Sequence, residues 1–203
     1  LSANNLLRPQ DGGPVTVPTQ DMVLGSYYLT MEKPGEPGEG KIFRDENEAV
    51  MAYQEGVITL QAKIRVRRTM EIDGTERSRI IDTTVGRIIF NQPIPQDLGY
   101  VDRSIPENRF LFEVDFLVNK KKLGQIIDRC IQKYGFTISA EVLDSIKALG
   151  YKYSTKGAIT ISVADMTVPS AKYEMIKATE KEVVNIERQY KRGFITDDER
   201  YRL

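Results

Sequence analysis

The sequence has no histidine, and its single cysteine is Cys130. Without an imidazole there is no Ser-His-Asp triad, no imidazole base to activate a thiol, and no histidine-containing metal site. One cysteine cannot form a disulfide within the chain, which fits a reducing compartment; the expected location is the cytoplasm. Cys130 sits in the apolar stretch Gly124-Gln125-Ile126-Ile127-Asp128-Arg129-Cys130-Ile131, so a small buried hydrophobe is expected there rather than a nucleophile.

Surplus charge of either sign is also missing. Lys+Arg and Asp+Glu number 29 each. That balance argues against an autonomous nucleic-acid binder acting through a basic surface, though not against a piece of a larger machine. No stretch approaches the roughly 18 apolar residues of a membrane span, and no membrane partner is expected. Walker, Gly-x-Ser-x-Gly and Cys-x-x-Cys motifs are absent, as is an Asp-x-Asp-x-Asp run. The first residue is Leu1, no signal peptide precedes it, and the last helix stops at Leu203 after about two turns. Both ends predict a truncated internal segment of a longer protein.

With 40% hydrophobic residues the chain can bury a core. Its patterning predicts an α+β fold of mixed helices and short antiparallel strands. Pro9-Gln10-Asp11-Gly12-Gly13-Pro14 reads as a loop, and Val15-Thr16-Val17-Pro18 as extended chain. Met22, Gly25 and Leu29 have helical spacing, which predicts a short helix capped by Thr19 or Asp21. Residues 33–41 form a Gly/Pro loop that lacks the Gly-Lys-Ser/Thr ending of a phosphate-binding loop. Asp45 and Glu48 predict a capped helix through Tyr53, ended by Gly56. Ile64 and Val66 alternate with Arg65 and Arg67 in a strand, Asp73-Gly74 signals a hairpin, and Thr84–Phe90 reads as a second strong strand. Arg65, Arg67, Arg68, Arg77 and Arg79 gather around this hairpin; interspersed acids favour a solvated face over a phosphate-binding ribbon.

Asn119 predicts the cap of a helix that Gly135 stops, with Lys120-Lys121-Lys122 unfavourably placed in its first turn. Ser139 predicts the cap of the next, ended by Gly150, and Ala158–Val163 reads as a third β segment. A long helix after Pro169 carries the stripe Met175, Thr179, Val183, Ile186 and Tyr190, and Gly193 breaks it. Thr196-Asp197-Asp198-Glu199 is a capping box opening a further helix, so the tail predicts a projecting antiparallel helical hairpin, truncated at its end. The acids of that box suit a helix N-terminus better than a metal site. A small independent enzyme is excluded for want of a nucleophile or acid–base pair with a partner. A stand-alone protein-interaction module remains the alternative class.

Longer strings go further. Leu1–Pro9, Gly13–Gly25, Tyr27-Tyr28-Leu29-Thr30, Thr83–Arg87, Lys156–Ala158 through Asp165–Pro169, and Gly193–Thr196 followed by Glu199-Arg200-Tyr201 closely resemble, in order, the β′ (largest) subunit family of bacterial RNA polymerase. The resemblance implies a pore domain over residues 1–168, lining the secondary channel through which nucleotides enter and the backtracked RNA 3′ end leaves. It implies the start of the funnel, with rim helices, over 169–203. Residues 32–80 and 91–118 match least well, which implies lineage-specific loops. The family's activity is DNA-directed RNA synthesis with two metals. The catalytic aspartates and their Mg2+ are implied to lie outside this segment, and no zinc is implied within it. Gln20 corresponds to a glutamine facing the active centre, able to donate to a triphosphate or ribose oxygen. Asn4 and Asn5 are weaker candidates. Glu199, Arg200 and Tyr201 resemble the rim that meets transcript-cleavage and stringent-response factors. The other implied partners are the β, α, ω and σ subunits, template DNA, transcript RNA and nucleoside triphosphates.

Overall fold

Apolar periodicity over residues 120–157 produces the longest helix and organises the first part of the molecule. The computed structural model describes residues 5–72 and 74–203; Leu1, Ser2, Ala3, Asn4 and Asp73 lie outside the described residues. Two compact units result, one ending at Ile159 and the other Thr160–Leu203.

In the first unit, α1 (Asp21–Thr30) crosses α4 (Lys120–Gly157). Leu29 of α1 and Leu123, Ile126, Ile127, Cys130 and Ile146 of α4 are fully buried. The crossing is close because glycines occupy it: a Cβ at Gly25 would lie 1.9 Å from the Gly150 carbonyl oxygen. Strand β1 (Ile42–Phe43) precedes α2 (Glu46–Gln54), whose Asp45 cap accepts from Glu48 N at 2.8 Å. Strands β2 (Ile64–Ile72) and β3 (Thr75–Thr83) form an antiparallel hairpin, and β1 adds to β2 in parallel. Ile64, Val66 and Ile81 turn inward. Helix α3 (Val85–Asn91) follows, buried on nearly every side, and a 3-10 turn spans Pro106–Phe110.

The second unit holds a 3-10 turn at Val163–Asp165, then α5 (Ala171–Lys191) and α6 (Asp197–Arg202). Gly193 at φ 73 closes α5, with Gly193 N donating to Tyr190 O (2.9 Å) and Phe194 N to Gln189 O (3.0 Å). That Schellman arrangement turns the chain back, bringing the Arg200 guanidinium to 4.8 Å over the Tyr190 ring.

The α+β class holds, with six α-helices and one three-stranded mixed sheet among the described residues. Four local expectations are corrected. Thr84–Phe90 is not a strand but the capped helix α3, Thr84 Oγ1 accepting from Arg87 N at 3.2 Å; its apolar run is buried all round, a pattern that helix and strand share. The hairpin partner is the charged stretch Thr75–Thr83 instead. Ala158–Val163 belongs to no strand among the described residues, and its Ile161 is 78% exposed. Gly150 does not end a helix, since α4 runs on to Gly157. Gly135, by contrast, does interrupt α4, at φ 73 and ψ −169. Gly74 takes φ 73 at the hairpin turn; its neighbour Asp73 lies outside the described residues.

Candidate functional site

Gln20 stands where α1 begins, at φ 50 and ψ −123, a backbone conformation that favours glycine. Neither Thr19 nor Asp21 caps the helix. Gln20 occupies the N-cap position, and its side chain makes no capping bond. Its carbonyl accepts from Val23 N and Leu24 N, both at 3.0 Å, which fixes the turn. The exposed amide is left free to donate and accept, with no hydrogen-bond partner among the described residues. Capping therefore does not account for this residue. Asn5 is exposed too, and no hydrogen bond joins it to Gln20 among the described residues. Asn4 lies outside them.

One residue not singled out from the sequence holds the far end of α1. Arg87 of α3 donates to Thr30 O (3.2 Å), at the end of α1, and pairs with Asp115 (2.9 Å) and Glu32 (3.4 Å). Burial pushes the Asp115 carboxyl up, and the nearby Arg87 charge opposes that. The signal lay in Thr83–Arg87, but reading the segment as a strand hid the direction in which Arg87 reaches.

In the second unit the three candidate tip residues differ in role. Glu199 is engaged in the capping box: Thr196 Oγ1 accepts from Glu199 N at 3.3 Å, while Thr196 N and Thr196 Oγ1 donate to Glu199 Oε2 at 2.8 and 3.1 Å, and the latter two bonds hold its carboxyl below the usual range. Arg200 donates to Asp197 Oδ1 at 2.7 Å while covering Tyr190. Tyr201 is 90% exposed. Of the three, Tyr201 offers a large surface that no neighbour uses among the described residues.

The arginines of the hairpin do not make one anion-binding stripe. Arg68 pairs with Glu46 at 2.7 Å and lies 4.1 Å over Phe112, and Arg65 stands opposite Asp82. Cys130 is buried, and burial raises its thiol pKa. Among the described residues no group of three or more His, Cys, Asp or Glu side chains is placed to hold a metal ion, and no helix is long and apolar enough to cross a membrane. Asp197 and Glu199, the densest carboxylates, are taken up by Arg200 and Thr196.

Residues 5–166 match the family model described as RNA polymerase Rpb1, domain 3. The chain is 61% identical over 201 residues to the DNA-directed RNA polymerase subunit β′ of Clostridium novyi (strain NT), covering 99% of this chain and 17% of that protein. The same subunit of Caldicellulosiruptor saccharolyticus is 60% identical over 201 residues, again covering 99% and 17%. That of Lachnoclostridium phytofermentans is 57% identical over 203 residues, 100% of this chain and 16% of the relative. The chain thus spans about one sixth of the length of the curated relatives it matches.

Proposed function

We propose, from the premise that this chain belongs to the RNA polymerase β′ subunit family, that it forms a wall of the secondary channel by which nucleotides reach the active centre. In this reading residues 1–168 are the pore domain and 169–203 begin the funnel and its rim. The whole enzyme performs DNA-directed RNA synthesis with the β, α, ω and σ subunits, template DNA, transcript RNA and nucleoside triphosphates. Magnesium supplies the transfer chemistry there, and no carboxylate set described in this chain fits it. This chain's residues orient what passes.

The observation carrying the proposal is Gln20, an exposed amide left uncapped on a backbone held at φ 50. A neutral amide can hydrogen-bond a triphosphate or ribose oxygen without the hold of a full charge. In the assembled polymerase, Gln20→Ala should cost about 0.5–1.5 kcal/mol, hence up to roughly tenfold in apparent nucleotide affinity, with DNA binding little changed. Gln20→Gly relieves the backbone conformation and should show the same kinetic defect. Single-nucleotide addition rates equal to the parent's in both variants would refute the channel role of this side chain.

The turn at Gly193–Thr196 and the start of α6 are proposed as the rim that receives transcript-cleavage and stringent-response factors. Tyr201 is the anchor, and Arg200 and Glu199 flank it with a charge of each sign. Tyr201→Ala should weaken factor-stimulated transcript cleavage by about tenfold, the scale of one aromatic anchor, measured against factor-free elongation by the same preparation. An equal loss in both assays would mean that Tyr201 serves folding or catalysis.

A further inference from the structure

The outer edge of β3 has no partner strand among the described residues. In the sheet order β1-β2-β3, β3 pairs with β2 on one side. Over Thr75–Ile80 exposure does not alternate, as it would on a strand with one covered face: every residue there is exposed. A strand edge open in this way is a template for a further strand.

Charge selects which strand. The register places Arg68 opposite Arg79 and Met70 opposite Arg77 on one face. Like charges directly opposite destabilise a hairpin unless something offsets them. Glu46 offsets Arg68 at 2.7 Å, with Phe110 O accepting from it at 2.6 Å. Arg79 donates to Glu107 O at 3.0 Å and meets the Glu107 carboxylate only at 3.5 Å, between exposed groups. Arg77 has no ion-pair partner among the described residues, so this face keeps a surplus of positive charge. Arg77 and Arg79 are two residues apart and therefore point the same way, about 7 Å from each other. An open cleft of about 390 Å³ beside them, floored by Ile72 and Phe110, leaves room for added side chains. On the other face Ile80 is 49% exposed and has an apolar surface to cover.

We infer that the β3 edge over Thr75–Ile80 receives an extended acidic peptide segment as a fourth strand, its carboxylates at alternate positions meeting Arg77 and Arg79. Backbone pairing supplies affinity, and the two guanidinium groups supply register. Nucleic acid fits less well, because Arg65 and Arg67 stand on the opposite face and Arg65 already faces Asp82. This inference is independent of the channel reading.

The test uses the assembled polymerase with its DNA channel filled by template. The probe is a fluorescent peptide, Thr-Glu-Val-Glu-Val-Thr, carrying a photoreactive group. Saturable binding is expected, with crosslinks mapping to residues 75–80. Arg77→Glu with Arg79→Glu should weaken it about tenfold, and Arg77→Gln alone should weaken it less. A peptide of the same charge with proline in place of both its first valine and its last threonine loses a ladder donor whichever alternate N–H groups face β3, and should not bind. Equal binding of the proline peptide, crosslinks elsewhere, indifference to Arg77→Gln and to the double substitution, or displacement by a single-stranded oligonucleotide would each overturn the inference.

Discussion

Gly25→Ala is expected to destabilise the first unit by at least about 3 kcal/mol, the upper end of overpacking costs. The new Cβ would lie 1.9 Å from the Gly150 carbonyl oxygen, and the reciprocal Cβ at Gly150 would meet Met22 Cα at 2.6 Å. Both obstacles are backbone, so no rotamer change relieves them. The helices must part, uncovering Leu29 and Ile146, which are fully buried. Alanine's better helix propensity, worth about 1 kcal/mol, is too small to compensate. Gly124 in α4 supplies the contrast, since a Cβ there meets nothing within 4 Å. Gly124→Ala should therefore stabilise by roughly 0.5–1 kcal/mol. Equilibrium urea unfolding of the two variants beside the parent checks the pair. Similar midpoints for Gly25→Ala and the parent would show that the crossing is looser than described.

The second large effect is expected at Arg103. Residues 92–118 contain little regular structure, yet Glu113 among them is 1% exposed. Its carboxylate accepts from Tyr100 N at 2.8 Å and from Arg103 at 3.2 Å. Arg103 also donates to Asn108 O (3.1 Å) and Arg109 O (2.7 Å). Gln96 Oε1 accepts from Glu113 N at 3.1 Å, and Asn91 bridges Gln96 to both polar groups of Val114. Arg103→Ala leaves a buried carboxylate without its cation and should cost about 3–5 kcal/mol. Replacing both partners, Arg103→Met with Glu113→Leu, removes the stranded charge and should recover much of the loss. The readout is again the urea midpoint. A double variant no better than Arg103→Ala would locate the loss in the carbonyls of Asn108 and Arg109 rather than in the charge.

Those two cases show what the sequence could and could not reveal. Gly135 and Gly150 look alike in the chain, each following an apolar helical stripe. Gly135 adopts the left-handed φ that a stop requires, whereas Gly150 stays helical because α1 passes too close for any side chain. Helix-ending and helix-crossing glycines differ only in tertiary surroundings. The run Val85-Gly86-Arg87-Ile88-Ile89-Phe90 was ambiguous for a related reason: a segment buried on all sides carries no periodicity. The charged strand β3 was visible only through the turn beside it. Caps set by short-range chemistry, at Asp45, Asn119 and Thr196, were legible in full. Gln20 was legible as a candidate through resemblance, but its unusual backbone was not, because nothing local requires a glutamine to take φ 50.

The interruption at Gly135 also divides labour within α4. Before it, Arg129 donates to Leu98 O and Lys133 to Asp97 O, so that half grips the irregular 92–118 stretch. After it, Gly150 carries the crossing with α1. Helical cooperativity propagates from one hydrogen-bonded turn to the next, and it cannot pass through a residue at φ 73 and ψ −169. One continuous rod would transmit fraying from either end to the other. Two jointed rods confine it, so fraying that starts in one half has no hydrogen-bonded path into the other.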